Sequence, residues 1–522
     1  MSFEITDIFC RSVTIERENA SQYETIEECK ILLNGEEVAI TKKNVFTIDG
    51  LLPDTQYTIS VDACEKSFVT KHESFLLNVK DFGAVGDGTH NDTASLQAAI
   101  AACPKDGTVW LPKGTYFSGP LFLKSDITLW IDEDATLLGD PDRAHYPKLP
   151  GVVRHLCDNE KEYPIASWEG NPLECFASLI TGVGVSNVDI IGKGTIDGNA
   201  DAGDWWIDVR KKRGAWRPRT VFFSGCEHIR MQSLTIRKSP SWTIHPYYCD
   251  HMRFLDLSIW NPEEQPNTDG IDPESCEDLL MLGVRISVGD DCVAIKSGKL
   301  YMATYHYKQT RDIEIRNCLF EKGHGSVTIG SEIAGGVENV HVSKCIFRGT
   351  DRGVRFKSRR GRGERAVITG MLFENLRMER VLMPITVNMF YFCDPDGHTP
   401  YVQSQEYLPV DYRTPKIGRI VLRNSQCLDV NASFVCAYGL PEAPIESIVI
   451  ENVEVSFLPK EERVPTRPIM MDNFDPMSGK SLFVKNCKEL ICKNIKIEGA
   501  DVEAPEIVNV ESQEISTLQF LN

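Results

Sequence analysis

Several things are missing from this chain of 522 residues, and each absence removes a class of protein. No run of about 18 consecutive apolar residues occurs, so no helical membrane span is expected. The amino terminus, Met1-Ser2-Phe3-Glu4-Ile5-Thr6-Asp7-Ile8, lacks a basic start leading into an apolar stretch. Read by itself it carries no secretory signal, and the expectation is a cytoplasmic protein. Positive charge is scarce: 56 Lys+Arg against 75 Asp+Glu leaves a net charge of −19. That argues against nucleic acid or an anionic membrane surface as a partner. Zinc-type Cys/His spacings are also absent; Cys487 and Cys492 are too far apart and have no partner pair, so no zinc site is expected. The 17 cysteines are scattered, several in apolar runs such as those holding Cys318 and Cys345, and are expected to be reduced, mostly buried thiols.

Helical periodicity is nearly absent as well. One helical stretch runs from Ala94 to Cys103, with Asp92 or Thr93 as its cap, and is expected to cover the open end of a solenoid. Before it, residues 1–75 alternate in short runs: Val13-Thr14-Ile15, Cys29 to Leu33, Val45 to Ile48, and Tyr57 to Val61. Turn pairs such as Asn34-Gly35 and Pro53-Asp54 separate them, which predicts a small β-sandwich. The segment Gly50-Leu51-Leu52-Pro53-Asp54-Thr55-Gln56-Tyr57-Thr58 resembles the tyrosine-bearing turn of fibronectin type III domains, and such a domain is a spacer or a dimer contact.

From residue 76 onward a repeat is present. CEHIRMQSLTIR (226–237), CDHMRFLDLSIW (249–260) and CEDLLMLGVRIS (276–287) follow one another at similar spacing, and related segments begin at 311, 337, 445 and 487. Each holds two short runs of period two, which is strand and not helix periodicity. Repeats of roughly 20 to 35 residues in a β-rich chain predict an all-β fold, a parallel β-helix over 76–522. Its coils stack about 4.8 Å apart, so residues one coil apart become neighbours.

Polar residues recur at coil-like intervals between these strands. Asn267-Thr268-Asp269-Gly270 is followed by Gly289-Asp290-Asp291, then Gly323-His324-Gly325, then Arg355-Phe356-Lys357, each step close to the length of one repeat. Stacked, they place three carboxylates, an imidazole, a guanidinium and an ammonium along one groove. Glycoside hydrolysis needs one protonated carboxyl for the leaving oxygen and one carboxylate to activate water. Crowded carboxylates cannot all ionise cheaply, so one keeps a proton. Asp290 is the expected acid, with Asp269 and Asp291 sharing the base role and His324 holding the acid's protonation state or orienting a hydroxyl. Arg355 and Lys357 flank Phe356 on a strand and so point the same way, suited to a sugar carboxylate. An anionic sugar is an odd partner for so acidic a chain, so the site must be locally basic. Arg352 to Arg365, RGVRFKSRRGRGER, supplies that charge.

These four motifs, in this order, make the sequence resemble glycoside hydrolase family 28, the polygalacturonases. The likeness runs from about residue 78 to 500 and includes Ser239-Pro240-Ser241-Trp242-Thr243-Ile244-His245-Pro246; it departs at Phe356, where the family usually has isoleucine. The resemblance implies a right-handed single-stranded β-helix, inversion at the anomeric carbon, no metal and no cofactor, an oligogalacturonide substrate, and the aspartate roles given above. Asn267, His245 and Tyr391 are further candidate substrate contacts. His245 reads equally as a core histidine, and Tyr391 as a packed aromatic. Trp205 and Trp206 offer a sugar platform, and Arg359, Arg360 and Arg362 read as a solvated loop or as substrate contacts. The N-terminal domain, the long segment Tyr146 to Thr181, and Val387-Asn388-Met389-Phe390-Tyr391-Phe392 look like bacterial exo-acting members, whose loops close the groove. Competing readings are an endo-acting enzyme, a rhamnogalacturonan or xylogalacturonan hydrolase, a calcium-dependent pectate lyase, and a non-catalytic carbohydrate-binding β-helix.

Overall fold

A computed structural model describes residues 2–154, 161–499 and 502–521 of the chain. A strand of period two buries one face only if an apolar surface lies against it. Here successive repeats stack parallel and wind around their own interior. One ladder runs through Glu227–Gln232, Asp250–Leu255, Glu277–Leu282, Thr310–Arg316, Val337–Ser343 and Val367–Glu374. Its register aligns Ile229, Met252, Leu279, Ile313, Val340 and Met371 in one inward column. A second ladder of three-residue strands runs from Thr235–Arg237 to Arg377–Glu379. The third runs through Val221–Ser224, Ile244–Tyr247, Asp291–Ile295, Gly325–Ile329, Arg352–Lys357, Met383–Asn388 and Ser433–Tyr438, with Ile271 bridging Ile244 to Val293. Together these ladders form a parallel β-helix within a sheet of 30 strands.

The inward residues make one continuous apolar core from Leu77 to Ile497. Cys226, Cys249 and Cys276, which open three of the repeats, are buried in it. The described cysteines are all unpaired and nearly all buried, with Cys393 exposed; Cys157 lies outside the described residues. The helix Thr93–Ala102 packs Leu96, Ala99 and Ile100 onto the first coils. Asp92 stands at its N-cap, but its carboxylate accepts from the Val85 and Gly86 N–H groups (2.8 and 3.0 Å) instead of the helix. Among the described residues no helix is long and apolar enough to cross a membrane.

The N-terminal strands form two antiparallel sheets. One holds Ser2–Ile8, Ser12–Glu18 and Val45–Asp49; the other holds Glu24–Leu33, Glu36–Lys43, Gln56–Val61 and Cys64–Val69. They enclose Phe3, Val13, Ile15, Ile31, Ile59, Val61 and Phe68. This unit lies against the outer face of the first ladder and the leading ends of strands in the second. Phe9 and Val45 pack on Ile191, Leu255 and Leu282, and Tyr23 packs on Leu319 and Ile346. Arg316 makes two 2.8 Å bonds to the Glu16 carboxylate, and Gln22 reaches Asn375 at 2.6 Å.

Candidate active site

Gly270 N–H donates to the Asp291 carbonyl (3.0 Å), and Ile271 bridges to Val293, so Asp269 sits one coil from Asp291. Asp291 is in register with Gly325, and His324 N–H donates to the Asp290 carbonyl (2.9 Å). The intervals from Asp269 to Asp290 and from Asp290 to His324 are therefore single coils. An oxygen of each of Asp269, Asp290 and Asp291 lies within 4.8 Å of the others. Asp269 and Asp291 are buried, while Asp290 is half-buried and reaches further toward solvent.

Arg355 and Lys357 join this cluster from two coils away. Arg355 Nη1 lies 3.0 Å from Asp291 Oδ1, and Lys357 Nζ 2.8 Å from Asp291 Oδ2. Phe356 between them is fully buried and edge-on to Phe373, so the family's isoleucine is replaced at a packing position. The path to Asp291 crosses Gly325, and the absence of a side chain keeps it clear. A Cβ at Gly325 would stand 2.7 Å from Asp291 Oδ1 and 2.3 Å from Thr328 Oγ1. Gly325→Ala is expected to displace the Asp291 carboxylate and lower kcat by about tenfold or more, the scale of a misplaced catalytic group. Turnover equal to the parent's would refute this reading of Gly325.

Charge is divided sharply within the cluster. Burial alone would push the Asp291 carboxyl up, but Lys357 and Arg355 overcome it and hold the group far below the usual carboxylate range. Among the described residues Asp269 has a more distant cation, Lys296 at 3.9 Å. Burial first, then the charges of Asp272 and Asp290, drive its carboxyl well above its ordinary value. Asp269 is thus a raised carboxyl beside a depressed one, Asp291.

The sequence reading missed the groups beneath. Asp272 is fully buried, with its carboxyl pushed up to about 7 by burial against the pull of Lys296. Lys296 Nζ lies 3.2 Å from Asp272, 3.5 Å from Glu332 and 3.9 Å from Asp269, over the face of Trp242. Burial would raise Glu332, but Lys296 and Lys299 bring it down to about 2. All three stand in the sequence as charged residues inside strand-like segments, Gly270-Ile271-Asp272, Ala294-Ile295-Lys296 and Gly330-Ser331-Glu332. A buried charge without a purpose is expensive, so that pattern is a signal.

The remaining candidates separate. The His324 imidazole is exposed; its Nδ1 bonds Asp351 (2.8 Å), which raises its pKa, with Asp290 and Asp291 adding to the effect. Asn267 Oδ1 accepts from Arg217 Nη2 (2.6 Å). Tyr391 is buried with Lys357 Nζ 5.6 Å from its ring centre, close to both cations. His245 is corrected: it is fully buried, its Nε2 is 3.1 Å from Glu274, and burial with the charges of Arg219 and Lys296 drives its pKa well below the ordinary value. It is a neutral core histidine with no face on the groove. Trp205 is buried under Arg143, and only Trp206 keeps partial exposure.

The basic run is also corrected. Arg359 and Arg362 pair with Asp394, and Arg360 pairs with Glu442, all three arginines buried. They are not a solvated loop, since their charges are buried against carboxylates. Part of the segment 146–181 reaches the site, although 155–160 lie outside the described residues. Ser167 Oγ donates to Glu274 (3.0 Å), and the Gly170 carbonyl accepts from Lys299 N–H (2.8 Å). Gly170, at φ +74°, presses so closely on Glu332 that a Cβ would meet it at 2.7 Å. Across the other cations, Arg355 Nη2 contacts Met470 Sδ (3.2 Å), and Asn388 Nδ2 donates to the Met470 carbonyl (3.1 Å).

Residues 159–404 match the family model for glycosyl hydrolases family 28, and residues 76–163 match a model described as rhamnogalacturonase A/epimerase, pectate lyase-like. A probable polygalacturonase of Vitis vinifera is 29% identical over 393 residues, 74% of this chain and 75% of that one. An endo-polygalacturonase of Pectobacterium carotovorum is 30% identical over 323 residues, 59% of this chain and 74% of that enzyme. Among solved structures, the exopolygalacturonase from Thermotoga maritima superposes with a TM-score of 0.62 at 26% identity, covering 73% of this chain and 87% of that one. These relatives overturn the cytoplasmic placement drawn from the amino terminus, since enzymes named for a cell-wall polymer meet it outside the cell. Four motifs on adjacent coils and a 30% identical relative matched over most of its length make this chain a glycoside hydrolase, a member of family 28.

Proposed function

We propose that the protein is a polygalacturonase that hydrolyses α-1,4-galacturonide bonds with inversion, removing sugars from the non-reducing end. The observation that carries this reading is the contact of Arg355 and Lys357 with Asp291 inside the aspartate cluster. Two cations beside the reacting carboxyls suit a sugar that itself bears a carboxylate. Asp290, the member nearest solvent, donates its proton to the leaving glycosidic oxygen. Ionised Asp291 takes the proton of the attacking water, while Asp269, whose carboxyl is raised, shares its proton with Asp290. A substrate carboxylate arriving at Arg355 and Lys357 competes for the two cations. Its added negative charge raises the proton affinity of the aspartate cluster as a whole.

The same pairing weighs against a calcium-dependent lyase, because both oxygens of Asp291 already receive a cationic donor and a divalent ion would be repelled. Exo action is supported by the two obstructions, 167–170 against Glu274 and Glu332, and Met470 over Arg355. The relatives include both modes. Digestion of polygalacturonate should release monogalacturonate from the first minutes while viscosity falls slowly, and the newborn anomer, read by proton NMR, should be β. Early loss of viscosity would overturn exo action. An unsaturated product absorbing in the ultraviolet would overturn hydrolysis itself.

For residues 1–75 we propose a fibronectin type III-like domain followed by the catalytic β-helix. Its two sheets and the 3.0 Å bond from Leu52 N–H to Tyr57 Oη support this. Its extensive contacts with the β-helix make it a fixed brace instead of a loose spacer.

A further inference from the structure

Each ion taken out of water into a protein interior adds its own cost, so a buried lysine is best matched to a single carboxylate. Lys296 faces three. It is 3% exposed, and its ammonium lies 3.2 Å from Asp272, 3.5 Å from Glu332 and 3.9 Å from Asp269. The backbone fixes both ends of the closest pair: Asp272 N–H donates to the Ile244 carbonyl (2.9 Å) and Lys296 N–H to the Pro273 carbonyl (2.8 Å). Both Asp272 oxygens are buried without a well-aligned hydrogen bond among the described residues, so Lys296 is the group that answers their charge. Glu332 has a second cation close by, Lys299, and stays ionised.

Every neighbouring element adds charge around this ammonium. The preceding coil brings Glu274, bridged to Lys296 and raised by burial to about 7, and the neutral His245. The strand leading to Lys296 carries Asp291, already held by Arg355 and Lys357. Glu169, Asp290 and Arg219 act from further off. Once Glu332 has its share, one ammonium cannot balance Asp269 and Asp272 together. Buried carboxyls so placed titrate as a pair, one proton after the other. The first charge settles on the member nearer the cation, and that is Asp272. A charge on Asp272 then opposes ionisation of Asp269, the member that stands within 4.8 Å of Asp290 and Asp291.

We propose that Lys296 and Asp272 are positioning residues for hydrolysis: the ammonium draws ionisation to Asp272, and the remaining proton of the pair stays on Asp269, facing Asp290. Both are too buried to touch substrate, and both act through Asp269. This rests on the polygalacturonase reading and deepens it. A proton shared by Asp269 and Asp290 is kept in the groove at a pH where free carboxyls have long lost theirs, so the acid remains usable there.

The test is the pH dependence of kcat on trigalacturonate for the wild type, Asp272→Asn, Lys296→Met and Lys296→Arg. Asp272→Asn removes the negative charge behind Asp269, so the alkaline limb should move to lower pH by about one unit. Lys296→Met removes a positive charge from the same pair, so the limb should move the other way. Lys296→Arg keeps that charge and should restore most of the parent profile. Residues that only support the fold would lower activity at every pH and leave the limb in place. A limb unmoved by Asp272→Asn would therefore overturn the proposal, as would shifts in the same direction for Asp272→Asn and Lys296→Met. Should Lys296→Met fail to fold, the isosteric Asp272→Asn decides alone. Infrared titration of buried protonated carboxyls in substrate-free protein reads the pair without turnover: the last of them should ionise at lower pH in Asp272→Asn than in the wild type, and an unchanged midpoint would also overturn the proposal. A wild type that leaves galacturonate oligomers intact would instead fell the polygalacturonase reading, with the infrared shift still deciding where the proton of the pair is held.

Discussion

Asp290→Asn and Asp291→Asn are each expected to lower kcat on oligogalacturonides by about 10²–10⁴-fold, the range of a lost general acid or base. Asp269→Asn should fall in the same range. The three effects should not add, because the carboxyls act as one unit whose protons are shared. Circular dichroism and thermal unfolding of the variants should separate loss of chemistry from loss of fold. Full turnover by Asp290→Asn would remove it from the acid role. The buried carboxyls also set a pH dependence of stability. Asp272 titrates at about 7 in the fold against 3.8 when free. Between those values the folded chain keeps a proton that the unfolded chain has released, so this group's contribution is full below about pH 4 and is lost as pH rises toward 7. Asp291 works oppositely: its depressed pKa adds stability above its ordinary value that is lost as pH falls below it. Urea unfolding of Asp272→Asn across pH 4 to 7 should show a flatter dependence than the parent, and an unchanged slope would contradict the assignment.

Lys357→Met carries the second large effect, and it has two parts. Removing one cation leaves the buried Asp291 carboxylate short of a partner. Breaking a buried pair in this way costs about 3–5 kcal/mol of stability. Activity on galacturonides should fall as well, by about 10²-fold or more, because the substrate carboxylate loses a partner and Asp291 loses what holds it ionised. The double variant Lys357→Met/Asp291→Asn tells the parts apart. It should recover most of the stability, since no charge is left unpaired, while activity stays low. If the double variant is no more stable than Lys357→Met, the ion pair is not what stabilises this wall of the groove.

The coil spacing was legible because period-two runs and turn residues repeat in the chain itself. The three aspartates, His324, Arg355 and Lys357 were legible for the same reason: stacking turns motifs one repeat apart into neighbours. Where side chains go within that frame was harder to read. His245 stands on the ladder that forms the site, yet period two turns it toward Glu274. The arginines at 359, 360 and 362 looked like exposed charge, because their partners Asp394 and Glu442 come from later turns of the chain and no local pattern announces them. Asp272, Lys296 and Glu332 belong to no motif; their one mark in the sequence is a charge inside a strand-like segment, and the burial that gives it meaning comes from the fold.

A stacked solenoid is held together mainly by contacts between adjacent coils, so it can come apart from an end, one turn at a time. The N-terminal sheets change that behaviour. They touch residues from Ile191 to Asn375, so a single appended unit grips many turns at once. Those turns include the ones carrying Asp269, Asp290, Asp291 and Arg355. The appended unit therefore acts as a splint, and peeling in the middle of the rod, where the chemistry is, must first pry it off.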